Sequence, residues 1–389
     1  MEENMQNFNY SIPTKVYFGK GQIRNLAEIA RMGKNVLMVY GGGSIKRNGV
    51  YDKASAVLQE SGLRVFELSG VDPNPRIETV ALGAKLCREK NIDVVLAIGG
   101  GSTIDCAKII AAAARYDGDP WDLVIDGEKI KDALPVAAVL TLAATGSEMD
   151  GFAVISDMEK NDKLDTGSEW IKPTLSILDP KFTYSVSRKQ TAAGTADIMS
   201  HVFEVYFTRE KDAYLQARMC EAVLKTCIKY GPVALENPDN YEARANLMWA
   251  SSLAINGLLS YGAEVEWSVH PMEHELSAFY DITHGDGLAI LTPVWMEYVL
   301  SDKTVGKFEE FGVNIWGIDP DEGTWHIAKK AIRNTREFFQ KLGLPQTLGE
   351  VGIGEENLEK MAYKLDGKLT DTYVPLSGAD VLEIYRNAL

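Results

Sequence analysis

At 389 residues, 46% hydrophobic and 24% charged, the chain has ordinary globular usage and the length of two domains at about 150 residues apiece. That excludes a disordered tail, a collagen-like repeat and a coiled coil. Forty Lys and Arg against fifty-five Asp and Glu leave a net charge of −15, which repels phosphate backbones and anionic lipid alike, so neither nucleic acid nor membrane is an expected partner.

The opening MEENMQNFNYSIP is acidic and polar, without the basic and apolar regions of a signal peptide. Nowhere does an apolar run approach the roughly 18 residues of a membrane span, and a cytoplasmic protein is expected. Val36–Tyr40 reads as a strand running into Gly41-Gly42-Gly43-Ser44, followed by a helix over Tyr51–Ser61 and a strand over Arg64–Leu68. Helical spacing covers Ile77–Lys90. Asp93–Ile98 is a strand that runs into Gly99-Gly100-Gly101-Ser102 and an Ala-rich helix over Thr103–Arg115. Another apolar run, Val136–Leu142, ends at the segment Ala143–Glu148. Continuous apolar strands alternating with amphipathic helices predict a parallel sheet covered on both faces.

Beyond Asp179-Pro180 strand-like runs give way to helical periods at Gln190–Phe207, Asp212–Tyr230, Tyr241–Leu259 and Thr324–Leu342. The expected organisation is an α/β domain over 1–182 and an all-α domain over 183–389. Cys87, Cys106, Cys220 and Cys227 are too few for a disulfide framework in a chain this long and read as buried thiols.

A glycine-rich turn between strand and helix lets backbone N–H groups approach a phosphate, and the helix N-terminus adds about half a positive charge. Gly99–Ser102 fits that requirement; a plain tight turn is the competing reading, and it weighs more heavily on Gly41–Ser44. The usual dinucleotide fingerprint puts its glycines after the first strand, with an acidic residue about 20 positions on for the ribose hydroxyls. Here the better loop follows a later strand, and the earlier strand ends at Gly41. With Ser44, Lys46 and Arg47 close by, that end suits a 2′-phosphate, which points to NADP(H) ahead of NAD(H).

The five histidines are His201, His270, His274, His284 and His326. Asp197 and His201 lie four apart in a helical context and so share a face, and three further histidines fall between 270 and 284. One carboxylate with several imidazoles makes a cage for a divalent metal. His270 and His274 are also four apart, so spacing leaves open which of them is a ligand. Glu273 and Glu275 alternate with them and are candidates to orient the rings. His326 is isolated and reads as structural.

GGGSTIDCAK (Gly99–Lys108), TLAATGSE (Thr141–Glu148), DIMSH (Asp197–His201) and HPMEHELSAFYDITHGDGLAILTP (His270–Pro293) together resemble the iron-containing (group III) alcohol dehydrogenases, most closely the NAD(P)H-dependent butanol dehydrogenase and aldehyde-reductase branch. The resemblance runs over essentially the whole chain. It implies a dehydroquinate synthase-like fold, an N-terminal α/β nucleotide-binding domain followed by an all-α metal-binding domain, and a homodimer. It implies Asp197, His201, His270 and His284 as metal ligands, with His274 beside the metal and facing substrate or nicotinamide. It places Gly99, Gly100, Gly101 and Ser102 at the pyrophosphate, and Thr141, Leu142, Thr145, Ser147, Asn74 and Lys163 along the cofactor. Gly41, Gly42, Gly43 and Ser44 stand where NAD-preferring relatives carry an aspartate.

Two departures stand out. Asp150 occupies a position where the branch usually has a neutral Asn; a carboxylate near the pocket would disfavour anionic substrates. Phe152 is bulkier than usual and is expected to trim that pocket. The implied chemistry is hydride transfer between NADP(H) and a small alcohol or aldehyde, assisted by a divalent metal, Fe²⁺ or Zn²⁺, with His274 as proton carrier. The competing readings are a metal- and NAD-dependent lyase of the dehydroquinate synthase type and a catalytically silent nucleotide-binding protein. Against the lyase, no Arg/Lys cluster for a phosphorylated sugar acid lies near the ligands in sequence.

Overall fold

Alternation of side chains along a strand gives the sheet two apolar faces, and both are covered. On β2 (Asn35–Tyr40) and β4 (Val94–Gly99), Leu37, Val39, Val95 and Ala97 pack into one core with α3 (Ile77–Glu89) and α4 (Gly101–Ala113). Val36, Met38, Tyr40, Val94, Leu96 and Ile98 pack into the other with α2 (Val50–Glu60), which follows the single turn α1 (Ser44–Arg47). The sheet has the order β1-β8-β5-β4-β2-β3, every neighbouring pair parallel. Its remaining strands are β1 (Lys15–Phe18), β3 (Arg64–Ser69), β5 (Val136–Leu140) and β8 (Leu175–Leu178). After the short α5 (Pro120–Ile125) and β5, an antiparallel hairpin of β6 (Phe152–Asp157) and β7 (Asp162–Gly167) packs over α4.

The computed structural model describes residues 5–209, 212–263 and 267–389 and divides the chain into two compact units. The second is helical: α6 (Arg188–Tyr206), α7 (Tyr214–Glu236), α9 (Val269–Tyr280), α10 (His284–Val299), α11 (Val305–Asn314), α12 (Thr324–Leu342), α13 (Leu358–Lys364) and α14 (Gly378–Asn387). A single break at 182/183 does not describe the grouping. The first unit comprises 11–186 together with 238–256, and the second takes 1–10, 187–237 and 257–389. The added piece is α8 (Tyr241–Ile255), whose Met248 is fully buried in the α3/α4 core of the sheet. No helix among the described residues is long and apolar enough to cross a membrane.

Most elements read from the sequence lie within two residues of their observed bounds, but α4 begins at Gly101 rather than at Thr103, α7 runs on to Glu236 past Tyr230, and α8 stops at Ile255 before Leu259. Strands β1, β6, β7 and β8 are not among those expected from the sequence. The four thiols are all buried and unpaired by disulfides, as read from their number.

Candidate metal centre and cofactor edge

In a parallel sheet every strand ends on the same edge, and ligands bind there at the point where successive connections turn to opposite sides. That point lies between β2 and β4. Gly41–Ser44 follows β2, Asn74 lies in the segment after β3, Gly99–Ser102 spans the end of β4, and Thr141–Ser147 follows β5. The glycines are enforced by close approach. A Cβ on Gly99 would meet the Thr103 side chain at 2.4 Å, and one on Gly101 would meet Thr145 Oγ1 at 2.2 Å. The α4 N-terminus and the 141–147 loop are thus packed against each other through missing side chains. Ser102 donates its hydroxyl to the Pro73 carbonyl, and Ser147 donates inward to Asp105 Oδ1 at 2.6 Å. Lys163 on β7 pairs in register with Ser156, whose N–H donates to Pro75 at 2.8 Å, so hairpin and Asn74 segment adjoin; Lys163 and Asn74 are both buried.

Asp150 does not meet the expectation of a pocket carboxylate. It is buried, and Lys108 Nζ, itself fully buried, donates to Asp150 Oδ1 and to the Phe152 carbonyl, each at 2.7 Å. The helix that opens with the glycine loop carries that lysine, and its cation engages the carboxylate a buried charge requires. Phe152 is half exposed on the hairpin and lies over Gly167, whose Cβ would meet its ring at 2.8 Å. Glu148 is buried as well: Oε1 accepts from Ser252 on α8, while Oε2 has no partner. Burial pushes this carboxyl up to about 7 against the Ser252 hydrogen bond.

The helical unit assembles the second site. Asp197 and His201 sit one turn apart on α6, His270 and His274 one turn apart on α9, and His284 opens α10. Gly285 lets α10 approach α6, since a Cβ there would meet the Ala193 carbonyl at 2.2 Å. Around Asp197 Oδ1 lie His201 Nδ1 at 3.5 Å, His284 Nε2 at 3.7 Å and His270 Nε2 at 3.9 Å. These separations are long for hydrogen bonds but close to the edge of about 3.4 Å between donors held at roughly 2.1 Å from one ion. Asp197 Oδ1, His201 Nδ1 and His270 Nε2 are all buried without a hydrogen-bond partner. Each such orphan costs about 1–3 kcal/mol, and a divalent cation satisfies all of them together.

Electrostatics agree with the geometry. Burial alone would raise Asp197, but His201, His270 and His284 outweigh it and hold the carboxyl down to about 2. Burial, with the neighbouring imidazoles, lowers His201 to about 3, despite Asp197. That keeps its ring neutral and its nitrogen available as a ligand.

Behind the ring stand two carboxylates. Glu273 on α9 holds His284 Nδ1 and also accepts from Ser277. Glu204 on α6 lies 3.2 Å from His270 Nδ1. Such partners fix which ring nitrogen keeps the proton and which faces the metal. Glu275, the other candidate from the sequence, forms an ion pair with Lys364 at 2.8 Å instead. Glu204 escapes sequence reading, though its place three residues after His201 on one helix face was a usable signal. His274 is partly exposed, with its ring centroid 5.6 Å from that of His284 and 6.4 Å from that of His270. It groups with Glu273 and His284 rather than with Asp197, His201 and His270. Trp267 walls the centre, 4.6 Å from the His270 ring and 5.5 Å from that of His201. His326 is exposed, 3.2 Å from Glu322.

Comparison with known proteins adds four findings. The family models for iron-containing alcohol dehydrogenase and for the C-terminal part of the Fe-containing alcohol dehydrogenase family match residues 13–180 and 191–389. The chain is 60% identical to NADH-dependent butanol dehydrogenase B of Clostridium acetobutylicum, covering 99% of this chain and 100% of that protein. It is 40% identical to the NADPH-dependent aldehyde reductase YqhD of Escherichia coli, over 93% of each. Among solved structures, NADH-dependent butanol dehydrogenase A from Thermotoga maritima superposes with a TM-score of 0.94 at 38% identity, covering 99% of both chains.

Proposed function

Because the chain belongs to the iron-containing alcohol dehydrogenase family, we propose that it interconverts small primary alcohols and aldehydes, such as butanol and butanal, with a nicotinamide cofactor and one divalent metal. What carries this reading is the ring of Asp197, His201, His270 and His284, with its buried orphan donors. These four residues would hold the metal, Fe²⁺ by the family's name; the donor set also suits Zn²⁺. When bound, the metal polarises the carbonyl oxygen and the nicotinamide carries the hydride.

The chain's own residues do the rest. Gly99–Ser102 and the α4 N-terminus hold the pyrophosphate, with Thr141, Leu142, Thr145, Asn74 and Lys163 beside the cofactor. Glu204 and Glu273 keep two ligand rings turned inward. His274, partly exposed and next to His284, carries the proton between substrate oxygen and solvent. His274→Ala is expected to lower turnover about 100-fold with metal content unchanged; loss of metal would make it a ligand instead.

For the cofactor we favour NADP(H). Position 41 is glycine, and Ser44 and Arg47, the exposed first and last residues of the single turn α1, are the candidates to meet a 2′-phosphate. Lys46 contributes less, because it pairs with Glu67 at 3.4 Å and lies over the rings of Tyr40 and Tyr51. The names of the relatives divide, NADH for the butanol dehydrogenase and NADPH for the aldehyde reductase. Equal or higher kcat/KM with NADH than with NADPH would overturn this choice.

The direct experiment follows cofactor oxidation with butanal, comparing apo protein with protein reloaded with Fe²⁺ or Zn²⁺. Activity is expected only with metal and reduced cofactor together. Dinucleotide binding without turnover under any metal would transfer the assignment to a lyase or to a binding protein.

A further inference from the structure

We propose that Glu204 is a positioning residue that ties the start of α9 to α6 and thereby sets the His270 imidazole for the metal. The proposal rests on the reading of the Asp197, His201, His270 and His284 ring as a metal site. Glu204 lies on the ligand-bearing helix, seven residues after Asp197 and three after His201, and is buried. Its carboxylate is used on both oxygens. Oε2 accepts the Ser268 N–H at 2.9 Å; Oε1 accepts the N–H groups of Val269 at 2.7 Å and His270 at 3.0 Å. The same Oε1 faces His270 Nδ1 at 3.2 Å, and a carboxylate can only accept, so the ring donates there and turns Nε2 inward.

The local alternative exists and is not used. Ser268 occupies the N-cap position of α9, the place where a serine hydroxyl ordinarily accepts from the second or third helical N–H. Here it makes no side-chain cap, and its hydroxyl is buried without a partner. A carboxylate from another helix has taken over the capping, and a charged acceptor suits the positive end of α9 better than a hydroxyl does. One side chain therefore fixes two things at once: where α9 begins, and which nitrogen of its first ligand faces Asp197. Glutamine cannot substitute. It offers one oxygen where two are used, and its NH₂ would oppose either the Ser268 N–H or the His270 ring donor.

The test titrates metal-free wild type, Glu204→Gln, Glu204→Asp and Ser268→Ala with Zn²⁺ against a competing chelator, and follows amide exchange at 268–270 in the metal-free proteins. Loss of a carboxylate behind a ligating histidine weakens metal binding about 10- to 100-fold. That loss is expected for Glu204→Gln, with faster exchange at those three amides; Ser268→Ala should match wild type in both. Turnover of Glu204→Gln at saturating Zn²⁺ should recover towards wild type, because affinity rather than chemistry is changed. Unchanged Zn²⁺ affinity in folded Glu204→Gln overturns the proposal. If that variant does not fold, Glu204→Asp decides by the same criterion, since it keeps the charge but is one methylene too short for all four contacts. Wild type that binds no Zn²⁺ or Fe²⁺ would overturn the metal reading itself, a result distinct from equal binding by both proteins.

Discussion

The two sites of this chain are built on opposite principles. The cofactor edge is made by omission: glycines at 99 and 101 admit Thr103 and Thr145 where side chains would collide, and backbone N–H groups are left to meet a phosphate. The proposed metal centre is made by accumulation, with four candidate ligand side chains from three helices and two further carboxylates beside the rings. The same contrast appears in two buried carboxyls. Asp197, ringed by imidazoles, is held down to about 2, whereas Glu148, given one hydroxyl and an unpartnered oxygen, is pushed up to about 7. Both are buried, so what decides a carboxylate's charge here is the company it keeps.

The largest effect that can break this contrast is at the metal. Asp197→Ala should release the metal and lower turnover by about 1,000-fold or more, the worth of several kcal/mol of Lewis-acid assistance. Metal analysis and kcat measured together check it; full metal occupancy in the variant would show that the ring closes without its carboxylate.

A smaller effect sharpens the comparison of the carboxyls. In the unfolded chain Glu148 loses its proton around its ordinary value of 4.5, but in the folded protein only around 7. Its contribution is therefore fully present below about pH 4.5 and is lost as pH rises to about 7. The loss amounts to about 3 kcal/mol, at 1.36 kcal/mol per pH unit. Glu148→Gln should remove that slope, so the variant gains on wild type between pH 5 and pH 8 in urea denaturation. Parallel curves for the two proteins would mean that Glu148 titrates normally.

The smallest expected change is at the glycine edge. Gly101→Ala places a methyl group against Thr145 and should cost about 1–3 kcal/mol of stability, raising the dinucleotide KM about tenfold while leaving bound metal alone. A melting curve and a KM-against-kcat comparison separate that result from a global defect.

Legibility in the sequence follows the same division. Glycine runs after apolar strands and histidines at helical spacing are visible because the residue type itself does the work. The hairpin strand β7, DKLDTG, has no apolar period; it is a strand because β6 pairs with it, and pairing is not written in its own residues. Glu204 is one acid among 55 acidic residues, and its role depends on amides 64 to 66 positions away. Asp150 shows the converse error. The family resemblance suggests a carboxylate near the pocket in place of a neutral Asn, but the lysine at 108, on α4, claims its charge.

The return of α8 to the sheet-bearing unit bears on how the protein is made. The chain passes between its two units after residues 10, 186, 237 and 256. A ribosome that has delivered the whole sheet has not yet delivered Met248 for its core or Ser252 for Glu148. The α/β unit is completed only once two helices of its neighbour, α6 and α7, have already been synthesised. A fragment cut at 182 would lack Met248 for that core and leave Glu148 without its hydroxyl, so the α/β unit is incomplete without a segment that follows α6 and α7 in the chain.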